Sequence, residues 1–459
     1  MRGVGVGGSR AALRRTRAER RTAGKALRRS VPRSSHSLWS ARADRPDPID
    51  LLLRSDQARN PGLLPIRYGR MSLSAFGFLR GAAAVMAADL ATTPVTGPRV
   101  QLCGDAHVSN FGVFATPERD EVFDVNDFDE TLPGPWEWDV KRLATSLVLA
   151  GRLNDLSRSE NRRAVRRAVG TYRESMLRYA GMSYLDTWYA HLDRASIAEL
   201  VQREGRRALS GAFRAARRRT SLQAFPRIVQ VRGGRYRIRD EPPLIVHYTE
   251  RADAETSQRF YERYVATLPP ERRLLFERYR VVDVAQKVVG VGSVGTECSV
   301  MLLLGDGDAA DPLFLQAKQA LPSVLEACLG ASEFANHAER VVTGQRLMQQ
   351  ASDVFLGSTT YGSKDFYIRQ WRDMKFSPEV RGIGRRGLVG RAELCMAGLA
   401  RAHARTGDAA TIGGYLGEET AFDRAVADFA EAYADQTEAD YAALLLAIKK
   451  GRIAAVRAS

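Results

Sequence analysis

The apolar residues of this chain recur with two different spacings, one typical of helices and one typical of strands. In residues 73–91 they recur every three or four positions, which predicts an amphipathic helix. The same spacing predicts a helix over 135–152, with Pro135 near its start, and mainly helical structure over 157–224. Helical spacing returns from Leu388 onward. There, four apolar residues share one helix face: Phe422, Val426, Phe429 and Tyr433.

Short apolar runs broken by glycine and polar turns predict strands between these helical stretches. Residues 100–114 contain two such runs around a polar loop, and the turn that follows predicts a hairpin over 111–125. A Gly-Gly turn predicts a second hairpin over 227–238. The rest of this region predicts three strands with two glycine-rich breaks, then a helix, then a last strand, in residues 280–320, 322–342 and 365–371.

This order of elements predicts an α+β fold with a mostly helical half first and a sheet-rich half after it. At 459 residues the chain is long enough to bury the core of two lobes. We expect a basic, disordered tail followed by a helical catalytic half, a sheet-rich nucleotide-binding lobe and closing helices packed on the helical half, over residues 1–45, 46–225, 226–375 and 376–459.

The charge of the chain is concentrated at its amino-terminal end. Residues 1–45 hold 13 basic and two acidic residues, so +11 of the net charge of +16 lies there and +5 lies on the rest. Such a tail can touch a polyanion non-specifically. Because it has no interleaved aromatic residues and no nucleic-acid motif, we expect a solvated arm and no dedicated nucleic-acid partner.

Two further features of the sequence indicate the cellular compartment of the protein. No apolar run is long enough to cross a membrane, and no apolar segment follows the basic start as in a secretory signal. The four cysteines lie far apart, which is typical of free thiols in a reducing compartment. We therefore expect a cytoplasmic protein without a membrane partner.

The polar loop "GDAHVSNFG" carries the first candidate chemistry. Asp105 and Asn110 stand in the D-x-x-x-x-N spacing of a kinase catalytic loop, in which the Asp is the base and the Asn a metal ligand. One hairpin later, Asp127 and Asp129 stand where a kinase has its magnesium-binding Asp-Phe-Gly. Transfer of a terminal phosphoryl group needs Mg²⁺ to neutralise phosphate charge, and Mg²⁺ prefers carboxylate and amide oxygens.

His107, in the same loop, is open to two interpretations. It can contact a phosphate in a catalytic role, or it can pack the loop. A rival interpretation makes Asp105 and His107 the first ligands of a two-metal phosphoesterase, but only "ANHAE" (335–339) faintly resembles the further ligand clusters such a site needs. A polar turn with a buried, hydrogen-bonded Asp is the structural alternative. We favour the kinase-like interpretation over both.

The sheet-rich segment carries the second candidate chemistry. Three glycines match G-x-G-x-x-G: Gly290, Gly292 and Gly295. A dinucleotide fold would continue into a helix, but the apolar residues that follow predict a strand, which is the arrangement of a kinase loop that covers phosphates. On the next strand Lys318 lies among apolar neighbours and would bind a nucleotide phosphate and a helix glutamate, either Glu326 or Glu333. Its alternative is an edge-strand lysine that reaches solvent.

The motifs resemble those of known enzymes. "GDAHVSNFG", "NDFDE" and "WEWDVKRLA" resemble the catalytic loop, metal-binding Asp and following helix of aminoglycoside phosphotransferases and choline kinases. From about Val31 to its end, the chain also resembles a bacterial family filed as domain of unknown function twenty-two fifty-two, through "PIRYGRM", "FGFLRGAA", "GQRLMQ" and "DFYIRQWRDMK". The kinase-like resemblance implies ATP and Mg²⁺ as cofactors and implies that Asp139 pins the catalytic loop. The family name implies no activity.

The order of the motifs differs from that of ordinary kinases, in which the glycine loop comes first. Here residues 290–318 follow residues 105–127, so we expect a circularly permuted, protein-kinase-like fold with two lobes. The predicted function is an ATP- and Mg²⁺-dependent phosphotransferase that acts on a hydroxyl of an unknown, small-molecule acceptor. The alternative is a catalytically silent, pseudokinase-like regulatory protein. Adenylyl transfer by the same groups ranks lower.

Two further motifs are interpreted without a catalytic role. Arg67, Arg70 and Arg80 precede the catalytic loop and can bind an anion, but in so arginine-rich a chain ordinary surface pairing is the better interpretation. "LARAHARTGD", with His403 and Asp408, is interpreted as structural, because no asparagine follows at the catalytic-loop spacing.

Overall fold

The structure is a computed structural model that describes residues 15–200, 203–248, 254–288, 290–305, 309–371, 374–377 and 379–456. Short 3₁₀ helices occur at Arg33–Ser37, Pro61–Leu63 and Val108–Asn110. The described α-helices are α1 (Arg17–Leu27), α2 (Pro48–Ser55), α3 (Leu64–Met71), α4 (Ala75–Gly81), α5 (Ala83–Leu90), α6 (Trp136–Leu153), α7 (Arg158–Gly181), α8 (Tyr184–Tyr189), α9 (Arg194–Leu200), α10 (Arg203–Arg217), α11 (Ser221–Ile228), α12 (Ala254–Ala266), α13 (Pro270–Phe276), α14 (Glu326–Leu329), α15 (His337–Met348), α16 (Arg385–Thr406), α17 (Ala409–Leu416) and α18 (Ala421–Lys449).

The described strands are β1 (Arg99–Leu102), β2 (Phe111–Ala115), β3 (Glu121–Val125), β4 (Leu132–Pro135), β5 (Val229–Arg232), β6 (Arg235–Ile238), β7 (Ile245–Val246), β8 (Tyr279–Lys287), β9 (Cys298–Gly305), β10 (Pro312–Ala320), β11 (Gly357–Tyr361) and β12 (Lys364–Gln370). Six of them form an antiparallel sheet in the order β11-β12-β10-β9-β8-β7. Three two-stranded sheets pair β1 with β4, β2 with β3 and β5 with β6. The predicted α+β class, both hairpins and the strand–glycines–strand order of β8 and β9 are therefore confirmed.

One apolar core joins the first helical half to the closing helices. Helix α6 is buried along the whole stretch from Trp136 to Gly151, and it packs against α7, α16 and α18. The apolar face predicted for α18 is confirmed, because all four of its residues are buried in this core. The strands β1 to β4 contribute to the same core. The polar loops that join these strands therefore stand on a rigid base.

The six-stranded sheet is covered on both faces. Leu313, Leu315 and Ala317 of β10 pack on one face, against α12 and α13. Phe314 packs on the other face, against α11 and the β5–β6 hairpin. Because side chains alternate along a strand, Lys318 lies on the same face as Phe314.

The helix predicted over 73–91 is divided in two. Helix α4 ends at Gly81 and α5 begins at Ala83, with Ala82 at φ −115° and ψ 37° between them. The carbonyl of Gly81 accepts a hydrogen bond from the buried guanidinium of Arg67 at 2.7 Å. The Gly81 carbonyl therefore bonds to a side chain at the point where the helix is interrupted. The spacing of apolar residues does not reveal this interruption.

The helix predicted over 322–342 is also divided, into the short α14 and the longer α15. Gly330 follows α14 with φ +91°, a left-handed conformation that favours glycine. Asn336 then caps α15, since its Oδ1 accepts from the amides of Ala338 and Glu339. The chain between the two helices therefore turns away from a continuous helix.

The prediction of a disordered tail over 1–45 is wrong for the residues from Arg15 onward; residues 1–14 lie outside the described part. Thr16 and Glu19 form a capping box that starts α1. This helix packs against α17 so closely that a Cβ on Gly24 would lie 2.0 Å from the carbonyl oxygen of Thr411. The arm is thus part of the packed structure.

Two further expectations concern membranes and thiols. Within the described residues, no helix is both long and apolar enough to span a bilayer. All four cysteines are free, as predicted.

Candidate active site

The loop after β1 is held by its backbone. Gly104 has φ +79°, and a Cβ there would lie 2.3 Å from the carbonyl oxygen of Glu130, so only glycine fits. The carboxylate of Asp139, on the first turn of α6, accepts hydrogen bonds from the amides of Cys103 at 2.7 Å and Gly104 at 3.1 Å. The prediction that Asp139 pins this loop is confirmed.

His403 contacts the carboxylate of Asp139 and has no contact of its own with the Asp105 loop among the described hydrogen bonds. Its Nε2 lies 3.4 Å from Asp139 Oδ2, and its Nδ1 is 2.9 Å from the hydroxyl of Tyr172. Asp408 caps α17 and forms an ion pair with Arg20. The structural interpretation of "LARAHARTGD" is confirmed for both residues.

Asp105 projects from the pinned loop and is paired with a buried arginine. Its Oδ1 accepts from Arg142 Nε at 2.9 Å and also from Arg142 Nη2, while the same guanidinium donates to the carbonyl of Leu79. Its Oδ2 lies 3.8 Å from the position that a Cβ on Gly292 would occupy. Burial raises the pKa of Asp105, and this effect outweighs the opposing effect of Arg142.

His107 and Asn110 complete the loop. Nδ1 of His107 accepts from the amide of Ser109 at 3.2 Å, so a neutral ring carries its proton on Nε2, which lies 3.7 Å from Asp105 Oδ2. Burial lowers the pKa of His107 well below its ordinary value, which keeps the ring neutral. Asn110 donates its amide to the carbonyl of Asp105 at 2.9 Å, which leaves Asn110 Oδ1 as the atom able to bind a metal.

The two aspartates of "DFD" differ in their surroundings. Asp127 Oδ1 accepts only a long hydrogen bond, 3.4 Å, from the amide of Asp129. The carboxylate of Asp129 accepts from Lys318, from the hydroxyl of Tyr367 at 2.8 Å and from that of Ser293 at 3.1 Å. Burial raises the pKa of Asp129, but Lys318 and Tyr367 outweigh it and lower this pKa to about 2.

The predicted partner of Lys318 has to be corrected. The lysine pairs with Asp129, while Glu326 accepts from the amide of Ser323 at 3.1 Å and Glu333 is exposed. The physical reason is the break after α14, which leaves Glu326 close to α15 and its cations instead of the strand. Burial alone would lower the pKa of Lys318, and the Asp129 carboxylate raises it above its ordinary value.

The glycine loop between β8 and β9 lies directly on the catalytic loop. Gly290 and Gly295 have φ +66° and +95°, which explains two of the three glycines. Gly292 has no such conformation; a Cβ there would lie 3.2 Å from the carbonyl oxygen of Arg80. At this position the glycine loop approaches α4 too closely for a larger side chain to fit without displacement.

The loop's backbone carbonyls are held by the segment before α4. The amide of Asn60 donates to Gly295 at 2.7 Å, Arg59 Nη1 donates to Val294 at 2.8 Å, and Arg70 donates to Gly290. The glycine loop is therefore held from the amino-terminal helices and not from the sheet alone.

One cleft contains both sets of candidate residues. It is lined by Asp105, His107, Asn110, Asp127, Asp129, Gly290 and Gly292, and also by Arg59, Arg80, Glu130 and Ser293. Its volume is about 70 Å³, far less than the roughly 300–1,000 Å³ of pockets that hold small ligands. A nucleotide can enter only if the glycine loop moves away from the catalytic loop.

The donor atoms in the cleft fit a hard cation bound with substrate. In the described part of the chain, no three His, Cys, Asp or Glu side chains group closely enough to enclose a metal ion. Mg²⁺ does not need such a cage, because it is usually bound by one or two carboxylates together with phosphates and water. Asp127 and Asn110 Oδ1 provide oxygens of this kind.

A comparison with protein families identifies relatives of this chain. The family described as "Uncharacterized protein conserved in bacteria (DUF2252)" matches residues 59–447. The chain belongs to this family. No curated protein and no solved structure matches the chain. The resemblance to this family is thus confirmed, and the match spans every residue that lines the cleft. Likeness to aminoglycoside phosphotransferases and choline kinases stays a prediction.

One cleft residue of this DUF2252 chain was misjudged from sequence. Surface pairing was the favoured interpretation of Arg67, Arg70 and Arg80, yet Arg67 is buried near Asp56 and Arg80 lines the cleft. Nε of Arg80 is buried and has no hydrogen-bond partner among the residues that the structure describes. A signal was present, because the residues just before Arg80 in "FGFLRG" are apolar and a charged side chain among them predicts a buried role.

Proposed function

We propose that this protein is an ATP- and Mg²⁺-dependent phosphotransferase that acts on a hydroxyl group of a small-molecule acceptor. The observation that carries the proposal is that Asp105, Asn110 and Asp127 share one cleft with the glycine loop, although these groups are far apart in the sequence. Phosphoryl transfer needs a base, metal ligands and a loop that covers phosphates. The acidic residues and the glycine loop lie in one cleft. This supports phosphoryl transfer over a function that uses only the acidic residues or only the glycine loop.

Asp105 is the proposed base. Arg142 binds its Oδ1 and orients the carboxylate, while Oδ2 is directed toward the glycine loop. Because burial raises the pKa of Asp105, it accepts a proton more readily than an exposed aspartate. We assign to it the proton of the acceptor hydroxyl, which leaves late in a loose transition state. His107, neutral and beside Asp105, would help to orient this carboxylate.

Asn110 and Asp127 are the proposed metal ligands. When bound, Mg²⁺ supplies neutralisation of the charge on the phosphate oxygens. Asp129 was a further candidate ligand, but its carboxylate is already engaged by Lys318, Tyr367 and Ser293. We therefore assign Asp129 to the support of the "DFD" loop.

The same contacts support a kinase-like fold with permuted chain order. The sheet that carries the glycine loop follows the acidic loops in sequence but faces them in space, and Lys318 reaches Asp129, two residues after Asp127. An arrangement in which Lys318 lay out of reach of this loop would have opposed permutation. Glycine-loop residues would thus cover the nucleotide, while Lys318 holds the segment next to the proposed metal ligand Asp127 through its ion pair with Asp129.

A nucleotide-binding regulatory protein without turnover is the second candidate. Two observations favour it: Arg142 neutralises the charge of Asp105, and the cleft is too small for a nucleotide unless the glycine loop moves. Such a protein would bind Mg·ATP and leave it intact.

Calorimetric titration of ATP with and without Mg²⁺ tests the proposal. We expect Mg²⁺-dependent binding by the wild type, about tenfold or more weaker in Asp127→Asn and in Lys318→Ala. The exposed Asp120, on the turn after β2, provides a matched control, because Asp120→Asn removes the same charge outside the cleft. Absence of ATP binding by the wild type would refute both candidates.

ATP labelled on the α- or the γ-phosphate then separates the reactions. Transfer of the γ-label to hydroxyl-bearing compounds, lost in Asp105→Asn, supports the phosphotransferase. Transfer of the α-label indicates adenylyl transfer by the same groups. Binding with neither transfer supports the regulatory alternative.

A further inference from the structure

Three charged side chains that line the cleft lack an ion pair in the described part of the chain: Arg80, Asp127 and Glu130. The others form ion pairs, Asp105 with Arg142, Asp129 with Lys318 and Arg59 with Asp56, and Glu130 accepts a hydrogen bond from the amide of Val324 at 2.7 Å. Arg80 and Asp127 remain, with no ion pair to each other or to any residue in the described part of the chain. The cleft is therefore complementary to a ligand that brings both an anion and a cation.

Arg80 is unusual because its guanidinium donates no hydrogen bond to the described residues. It lies over the ring of Phe76, 6.0 Å from the centroid, and its Nε is fully buried. Burial lowers the pKa of Arg80, yet an arginine keeps its charge in proteins. A half-buried cation whose Nε is shielded from water and has no partner is unfavourable, and an incoming anion would relieve this cost.

The other cations near the cleft are less suited to receive an anion. Lys318 is bound by Asp129 and is not among the residues that line the cleft. Lys375 does not line it either, and burial lowers the pKa of this lysine to about 7, so that much of its charge is lost near neutral pH. Arg59 is engaged by Asp56 and by the glycine loop.

We infer that Arg80 binds the terminal phosphate of the nucleotide, a role that kinases give to the strand lysine and that Lys318 does not fill here. This inference rests on the proposed function for the identity of the ligand. The guanidinium offers parallel N–H donors that match two phosphate oxygens, which an ammonium group cannot do. The carbonyl of Arg80 faces Gly292, so the side chain stands beside the loop that would cover the phosphate. Asp127 would serve the metal.

Titration of sodium tripolyphosphate in the presence of EDTA tests this subsite without metal or turnover. Arg80→Gln is expected to weaken binding about tenfold or more. Asp127→Asn is expected to strengthen metal-free binding, because Asp127 repels a polyanion when no cation is present. Arg54→Gln is the matched control, since Arg54 is exposed on α2 and away from the cleft, and no change is expected.

The outcomes separate this inference from the proposed function. Equal tripolyphosphate affinity in Arg80→Gln and Arg54→Gln, or no binding by the wild type, would overturn the role of Arg80 even if Mg·ATP binds. Tripolyphosphate binding that depends on Arg80, without Mg·ATP binding, would leave this anion subsite standing and refute the phosphotransferase. Arg80→Lys keeps the charge but not the parallel donors; partial recovery of affinity supports the subsite and excludes misfolding as the cause of the loss.

Discussion

The catalytic loop and the glycine loop meet in one cleft but are held by different means. The catalytic loop is held from below, where the buried carboxylate of Asp139 accepts two backbone amides. The glycine loop is held from the side, through single hydrogen bonds from Asn60, Arg59 and Arg70 to its carbonyls. Both sets include charge-assisted bonds. The two bonds of the catalytic loop end on one buried carboxylate, whereas those of the glycine loop come from three separate residues.

The difference in how the two loops are held indicates that the glycine loop is the part of the cleft that moves. The acidic residues stand on a rigid platform, so their geometry is ready before a ligand arrives. The glycine loop closes the cleft to about 70 Å³ and must lift to admit a nucleotide. Lifting the loop would break the three hydrogen bonds to its carbonyls and the hydrogen bond from Ser293 to Asp129, and these few contacts keep the cleft closed.

Removing Asp139 should have the largest effect on stability, because its carboxylate anchors the catalytic loop to α6. Asp139→Ala leaves two buried amides without an acceptor and is expected to lower the free energy of unfolding by about 3–5 kcal/mol. Urea denaturation measures this loss. Asp139→Asn keeps one acceptor oxygen and should lose less. A loss below about 1 kcal/mol in Asp139→Ala would contradict the proposed rigidity.

Removing Lys318 should have the next largest effect. Lys318→Met leaves Asp129 without its cation and is expected to cost about 2–3 kcal/mol at neutral pH, less than for a fully buried pair because Asp129 is partly exposed. The pKa of Asp129 is lowered to about 2 in the folded protein, so the pair stabilises above about pH 4 and its contribution is lost as the pH falls toward 2.

The stability difference between wild type and Lys318→Met should therefore shrink as the pH falls from about 4 toward 2. Urea denaturation at several pH values measures it. The double variant Lys318→Met/Asp129→Asn removes the unpaired charge and should recover part of the loss. A difference that grows as the pH falls would contradict the ion pair.

A larger side chain at Gly292 should prevent the glycine loop from closing over a ligand, with little effect on the stability of the fold. Its Cβ would lie 3.2 Å from the carbonyl oxygen of Arg80, so Gly292→Val is expected to weaken Mg·ATP binding about tenfold and to change the melting temperature little. Calorimetry and thermal unfolding measure the two quantities. Gly181→Val, where no atom lies within 4 Å of the new Cβ, is the control. Unchanged affinity would show that the loop does not cover the ligand.

The smallest expected effect is on amide exchange, and it compares the anchoring of the two loops directly. Arg59→Met removes the hydrogen bond to Val294, so amides of residues 290–296 should exchange about tenfold faster with deuterated solvent. The amides of Cys103 and Gly104 should keep their protection, because Asp139 still binds them. Arg54→Met, on the exposed face of α2, should change neither region. Equal acceleration in both loops would contradict separate anchoring.

Local patterns in the sequence predicted much of this protein. Alternating apolar residues and the Gly-Gly turn predicted both hairpins, and the four apolar residues of α18 predicted its buried face, because these signals act within a few residues. The resemblance of "WEWDVKRLA" to phosphotransferases also predicted the contact of Asp139 with the catalytic loop, which is confirmed. The breaks at Ala82 and Gly330 were missed, since apolar spacing continues across them.

Contacts between distant residues were decided by the tertiary structure. Sequence spacing indicated that Lys318 needs a carboxylate and suggested a glutamate on the next helix, but the fold brings Asp129 to it from the other half of the chain. The sequence did not distinguish Arg80 from the other arginines, and only the fold places its Nε in a buried position without a hydrogen-bond partner among the described residues. The sequence determined which local elements form and which residue types carry the chemistry. Only packing decided which charges meet, because ion pairing depends on distance in space and on exclusion of water.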